Sequence, residues 1–547
     1  MNIIIMKGIL CDNVVLEHQN LLEAKRALVI IDNESIGEIV ETESSLQEVI
    51  EAYPHVEITY HPHSYLMPGL VDSNIKSTIR MPLERLLKRA LTGGVTTACI
   101  EVGPEPYLIP ESTLDIKKVL CVGTIEDLEL GLEEHPDVLA IKCYLCKQNN
   151  RIKHLLSFDL LQTIYDLDMP LIVDSSTTSE RFLYMASPYR GLELSTRNST
   201  SFLDKARTFE NYAEANDRDI EEVDSYSSEE ENKHTSEDSD EDSSEIKPQA
   251  KSNALIESEI ESYSKSGITE LRISSGEGSP DTLTSSPDTP TSSLLRSRTN
   301  LRGFNISVDT AKSFSRDETI YTNYLLNIPQ NWELRGIQNI ISHLENTSVR
   351  VHFANISSYK NIKKIRSYKK SLNLTFETCP HYVYFSDIDV HPKDTRFKTF
   401  PPIRDVHNRK VLISMLKSGK IDMVSSNHNP ITPEFKFLDY GEFRRALPGV
   451  DVLGFSLQAL WTKLFQYCEP SEYSRVICEI SRTMSTQPSK LLGLDDRGSI
   501  ASGKKADLVI WKPFESEVVQ KNRMCIYNGQ TLFGKIIKVY KNGKLII

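Results

Sequence analysis

Several things are scarce in this chain of 547 residues, and each scarcity closes off a class of function. There is no basic excess: 63 Lys and Arg stand against 76 Asp and Glu, for a formal charge of -13. A general nucleic-acid or anionic-membrane binder needs the opposite balance to displace counterions from phosphates. Cysteines number nine, and the one close set, Cys143 and Cys146, has no second pair at zinc-finger spacing, so reduced thiols are expected. No apolar run reaches the ~18 to 20 residues of a membrane span. The opening "MNIIIMKGILCDNVVL" lacks the basic stretch of a secretory leader. The sequence therefore predicts a cytoplasmic protein with neither nucleic acid nor membrane as a partner. The nucleophile-elbow motif of Ser/His/Asp hydrolases is missing as well.

What is present has a clear order. Residues 1–66 alternate short apolar runs ("NIIIMKGIL", "RALVIID", "SIGEIV", "VEITYHP") with polar turns, a small β structure. Residues 496–547, with "GSIASGKKADLVIWKP" and "LFGKIIKVYKNGKLII", show the same pattern, so both ends are expected to form one composite β-sandwich. Between them strand-like runs ("GGVTTACIEV", "VLAIKCYL", "MPLIVDSS", "VRVHFANIS", "LTFETCPH", "IDMVSSNHNP") alternate with amphipathic segments such as "ELRGIQNIISHLEN". Repeated βα units of this number predict an α/β fold with a TIM-type (β/α)8 barrel over 67–175 and 319–495. Residues 176–318 interrupt it with an acidic, Ser- and Pro-rich stretch ("SYSSEEENKHTSEDSDEDSSEIK", "SSGEGSPDTLTSSPDTPTSS") that has too little apolar surface to offset ordering entropy. A disordered insertion is expected there, with a short helix near Thr200 to Ala215.

The stretch "MPGLVDSNIKS" (67–77) resembles the Pro-Gly-Leu-Val-Asp-Xaa-His-Xaa-His signature at the end of the first barrel strand of the cyclic amidohydrolases, and within them the allantoinases. "GGVTTACIE" (93–101), "VRVHFANISS", "ETCPHY" (377–382), "PPIRD" (401–405), "MVSSNHNPITPEFK" (423–436) and "GSIASGKKADLVIW" (498–511) follow in the family's order. The resemblance runs nearly end to end apart from the insertion. It implies a site in which four His, one carboxylated Lys and one Asp hold two divalent, zinc-like metals. The metals lower the pKa of a bridging water, the Asp takes its proton, and the hydroxide opens a cyclic amide.

The residues at those positions are different. The first-strand pair falls on Asn74 and Lys76, and an ammonium has no lone pair for a metal. Lys142 keeps the lysine position. The two later His positions fall on Asp174 and Asn355, and the general base falls on Asn427, an amide that cannot take a proton near neutral pH. Phe400 precedes "PPIRD" where the family has a small Ser. No cofactor and no catalytic residue is therefore expected, with Lys76, Lys142, Asp174, Phe400 and Gly449 as pocket residues and a Lys76 to Asp174 ion pair in place of the metals. His61 and His63 precede the Pro-Gly turn and read as surface or turn residues; His381 and His428 read as satisfied structural histidines, and Cys143 and Cys146 as buried packing.

Two functions of different classes follow. One is a non-catalytic allantoinase-like scaffold, regulatory subunit or ligand-binding protein, forming homo-oligomers or hetero-oligomers with an active paralogue. The other is an active metal-dependent hydrolase opening allantoin to allantoate with unusual ligands. In the insertion Ser227, Ser228, Ser236, Ser239, Ser279, Ser286 and Thr289 lie beside acidic residues or prolines. These are candidate phosphosites, each adding about -1.5 to -2 charge on a tether suited to a basic protein partner.

Overall fold

The computed structural model describes residues 6–19, 21–76, 83–106, 112–145, 158–175, 317–344, 347–520 and 523–547. The expected helix near Thr200 to Ala215, the phosphosites and Cys146 lie outside them.

Both ends of the chain build one seven-stranded sheet. Its strands are β1 (Met6–His18), β2 (Leu21–Asp32), β3 (Ser35–Glu41), β4 (Val56–Pro68), β13 (Leu508–Val518), β14 (Thr531–Lys541) and β15 (Lys544–Leu545). The spatial order is β15-β14-β13-β4-β1-β2-β3, so β13 pairs with β4 and joins the last strands to the first. Leu16 bridges to Ile500 and Ser35 to Lys505. The sheet thus folds over a core that includes Ile9, Val29, Leu66, Leu508 and Ile510, the sandwich expected from the alternating pattern. Helix α1 (Leu46–Ala52) is held by a capping box between Ser45 and Glu48, which satisfies two orphan amides of its first turn.

The second sheet has eight strands: β5 (Leu70–Ile75), β6 (Val95–Val102), β7 (Asp115–Cys121), β8 (Val138–Tyr144), β9 (Leu171–Asp174), β10 (Val351–Phe353), β11 (Leu374–Thr378) and β12 (Met423–Val424). Neighbours pair in parallel throughout. The ring closes just past β12, where Ile75 bridges in parallel to His428 and the Lys76 amide donates to the His428 carbonyl at 2.9 Å. This is the TIM-type barrel. Strands buried on both faces read as continuous apolar runs, and all eight residues of β6 are buried.

Helices α2 (Leu83–Thr92), α3 (Ile125–Glu134), α4 (Phe158–Asp166), α5 (Tyr321–Leu326), α6 (Gln330–Leu344), α7 (Tyr359–Tyr368), α8 (Pro380–Tyr384), α9 (Val406–Lys417), α10 (Ser456–Phe465), α11 (Tyr473–Ser481) and α12 (Gln487–Leu491) fill the connections between and after the strands. In α6 the buried set Ile337, Ile340, Ile341 and Leu344 falls at i, i+3, i+4 and i+7, one helical face turned inward. Its Gly336 lies so close to β9 that an added Cβ would sit 1.8 Å from the Ser175 carbonyl oxygen. Barrel and terminal sheet are tied at the opposite end from β9's carboxyl terminus by Arg497, which donates to Thr97 Oγ1 at 2.8 Å and pairs with Asp115. Among the described residues no helix is long and apolar enough to cross a membrane.

Candidate functional site at the carboxyl ends of the barrel strands

Residues at the C-terminal ends of barrel strands converge because every strand runs the same way and alternate side chains point inward. Lys142 on β8 meets Glu101 on β6, with Nζ 2.5 Å from Oε1, and donates to Asn74 Oδ1 at 2.9 Å. Tyr144, two residues on, donates its hydroxyl to Glu101 Oε2 at 2.5 Å. Asn74 also donates through Nδ2 to Glu377 Oε1 at 2.7 Å. Its amide therefore spans an ammonium on one side and a carboxylate on the other, the one orientation in which neither contact is repulsive. Ser73 Oγ donates to Glu377 Oε2 at 2.9 Å, and His352 Nε2 lies 3.3 Å from the same oxygen. Asn355 Nδ2 donates to Asp174 Oδ2 at 3.3 Å.

Electrostatics follow the contacts. Burial pushes the Glu101 carboxyl up, but the charges of Lys142 and Lys76 and the bonds from Lys142 and Tyr144 outweigh it and hold it below its ordinary value. Burial pulls Lys142 down, and the adjacent Glu101 more than compensates, so the ammonium form is favoured. Glu377 is pushed up by burial, yet the His352 ring 3.3 Å away, with help from Ser425 and Lys142, holds it at about 2. Asp72 is raised to about 6 by burial, against hydrogen bonds from Ser426 and the Asn74 amide. Both compensated carboxylates belong to pairs; Asp72 does not.

Of the pocket residues expected from sequence, Lys142, Asn74, Asp174 and Asn355 are brought into this network. Lys76 enters it differently from expectation. Its ammonium points inward, with the residue 8% exposed, and lies 5.1 Å from the centre of the Tyr144 ring. It forms no ion pair with Asp174; the buried pair is Lys142 with Glu101, and Asp174 is met by the Asn355 amide instead. The reason is reach: Glu101 stands on β6, beside β5, and the Lys76 charge acts on it together with Lys142. Asn355 and Asn427 both have positive φ, 46° and 49°, a region in which Asn is several-fold enriched. Asn427 Oδ1 is buried without a hydrogen-bond partner. Phe400 is half-buried and packs against the barrel core. Gly449 (φ 147°) lies against Asn429, whose carbonyl oxygen an added Cβ would meet at 2.4 Å.

The histidines divide. His428 Nδ1 accepts from the amides of Val452 and Leu453 at 3.2 and 3.3 Å. Its Nε2 and both ring nitrogens of His381 are buried without a partner, so neither ring is fully satisfied as expected. Burial lowers His428 to about 4, with Asp451 opposing, and lowers His381 to about 3. His63 is exposed, His61 half-buried and Cys143 fully buried. Sequence reasoning missed Glu101, Tyr144, Glu377 and Ser73 as site residues. Glu101 and Glu377 were visible as carboxylates in quoted strand motifs, and Tyr144 as the same-face neighbour of Lys142 two residues on. A groove of about 320 Å³ against the terminal sheet, lined by Ile30, Tyr53 and Val56 among others, contains none of these residues.

With an eight-stranded parallel barrel, a sandwich of both termini and a polar centre at its strand ends, the chain resembles the amidohydrolases. The Amidohydrolase family model matches residues 398–546. In fold the chain is similar to dihydropyrimidinase from Brevibacillus agri NCHU1002 (TM-score 0.63, 16% identity, 99% of this chain and 95% of that one) and to a D-hydantoinase (TM-score 0.62, 15% identity). In sequence the chain is allantoinase-like. It is 35% identical over 248 residues to allantoinase of Arabidopsis thaliana, covering 42% of this chain and 48% of that protein. It is 33% identical over 237 residues to allantoinase of Saccharomyces cerevisiae, covering 41% and 49%. The chain spans about half the length of the curated relatives it matches.

Proposed function

We propose that this chain is a non-catalytic allantoinase-like protein, acting as a scaffold, regulatory subunit or ligand-binding protein rather than as a hydrolase. The observation that carries the reading is the buried Lys142 to Glu101 pair at 2.5 Å. A carboxylated Lys142 would place a second anion against Glu101, whereas an ammonium there is paired and bonded to Asn74. The donor set does not fit two divalent cations: Asn74, Asn355 and Asn427 offer amides, Lys76 an ammonium, and zinc is held by imidazole, thiolate and carboxylate. Among the described residues no group of three or more His, Cys, Asp or Glu side chains is placed to hold a metal. Asn427 cannot serve as a general base. Assembly with itself or with an active paralogue, and recruitment of a basic partner through the insertion, belong to the same reading.

The second reading, a metal-dependent hydrolase that opens allantoin, is favoured by the 35% identity to an allantoinase. Elemental mass spectrometry of the full-length protein, purified after metal-supplemented expression, separates the two. Zinc, manganese and iron near zero per chain, with no allantoin hydrolysis, support the non-catalytic reading. One to two bound ions with ring opening overturn it.

A further inference from the structure

Among the described residues at the strand ends, the charged groups named above are met by ion pairs or hydrogen bonds, Lys76 excepted. Lys142 has Glu101, Glu377 has Ser73, Asn74 and His352, and Asp174 has Asn355. Lys76, more than nine-tenths buried, has only the face of the Tyr144 ring. Among the described residues no carboxylate lies within 4.0 Å of its ammonium and no acceptor takes its hydrogen bonds. A desolvated ammonium with three unfilled donors is costly, and a ring face returns only part of that cost. A second defect lies across the barrel seam. The Lys76 amide bonds to the His428 carbonyl, and the residue before it, Asn427, holds a buried acceptor oxygen without a donor on a backbone at φ 49°. A third lies at the end of β9, where Ser175 Oγ is buried and unpartnered. One cation wants an anionic oxygen, and one acceptor wants an N–H or O–H.

We propose that this centre binds a small monocarboxylate that also carries a hydrogen-bond donor, with Lys76 as the cationic anchor and Asn427 Oδ1 as the acceptor that orients it. This rests on the non-catalytic reading of the same site. A charge-assisted bond is the interaction strong enough to offset the desolvation of Lys76. A second negative charge on the ligand is disfavoured by Glu101, Glu377 and Asp174, which already stand around the site. The donor requirement separates an α-hydroxy or α-amino acid from a plain fatty acid.

The test uses the full chain in chelator-containing buffer, with three probes read by thermal shift and calorimetry: glycolate (carboxylate and donor), acetate (carboxylate alone) and glycolamide (donor, no charge). Glycolate gives a saturable rise in melting temperature, acetate a smaller one, and glycolamide none. Lys76→Met weakens glycolate binding at least tenfold, and Lys76→Arg retains it. Without ligand Lys76→Met melts no lower than the wild type, because the desolvation of this ammonium outweighs its attraction to Glu101. The proposal is overturned if no probe binds, if glycolamide matches glycolate, if Lys76→Met binds glycolate as the wild type does, or if Lys76→Met alone lowers the melting temperature. Bound metal or ring hydrolysis by the wild type without chelator fails the non-catalytic reading instead, and shows in a different readout.

Discussion

Glu101→Gln probes the site at its centre. The substitution keeps shape and one acceptor but removes the charge that Lys142 meets at 2.5 Å, with both side chains nearly inaccessible to solvent. Breaking one side of a buried ion pair leaves the other charge uncompensated, which costs about 3 to 5 kcal/mol. The Lys76 charge, which also acts on Glu101, adds to the strain. With a urea m-value of about 3 kcal/mol/M, a loss of 3 kcal/mol lowers the unfolding midpoint by about 1 M. Adding Lys142→Met to Glu101→Gln restores most of it, since the stranded cation is then gone, and the double-mutant cycle gives the coupling. The pH dependence has a definite sign. Glu101 is held below its ordinary 4.5, so its contribution is present above that pH and is lost as pH falls through its folded value. Lys142 is held above its ordinary 10.5, so its contribution is present below that pH and is lost as pH rises through its folded value. The stability difference between wild type and Glu101→Gln is therefore flat from about pH 5 to 10 and shrinks outside. A neutral or stabilising Glu101→Gln would refute the reasoning, because it would mean that Lys142 carries an anionic group there.

Asp72 acts in the opposite direction: burial raises it from 3.8 to about 6, so it subtracts stability as pH rises through that interval. Asp72→Asn, which keeps the acceptor for the Ser426 and Asn74 amides, should gain melting temperature over the wild type at pH 7.5 and show little gain at pH 4, the difference being at most about 3 kcal/mol. Gly336→Ala should cost about 3 kcal/mol or more in chemical denaturation, because its Cβ meets a backbone oxygen at 1.8 Å rather than a movable side chain. In the insertion, incubation with a proline-directed kinase followed by peptide mass spectrometry should place phosphate on Ser279, Ser286 or Thr289; an acid-directed kinase should modify the 227–239 cluster. Phosphate at none of these positions removes the tether idea.

Much of the fold was legible because period carries it. The six quoted apolar runs fall on β6, β8, β9, β10, β11 and β12, and the terminal alternation predicted one sheet from both ends. Strand β7 was missed: "DIKKVLC" opens with charged residues because its first half faces the Arg497, Lys117 and Asp115 ion pairs at the barrel's other end. The site was half legible. Motif order located Asn74, Lys76, Lys142, Asp174, Asn355 and Asn427, but which cation meets which carboxylate depends on strand adjacency and side-chain reach. The ligand positions drew the attention, and Glu101 and Glu377, which lie in quoted motifs but at none of those positions, were overlooked as partners. Positive φ at Asn355 and Asn427 likewise leaves no mark in sequence beyond the identity of the residue.

The separation of contacts along the chain has a consequence for synthesis. Lys142, Glu101 and Asn74 lie within 68 residues of one another, so the ion pair and its bridging amide can assemble from the first strands alone. Glu377, the last-made carboxylate of the network, is 303 residues from Asn74, roughly 15 to 60 s later on a ribosome moving at about 5 to 20 residues per second. A centre that waited for its last-made ligand would leave buried charges unmet through that interval. Here the nascent chain carries its own counter-charge.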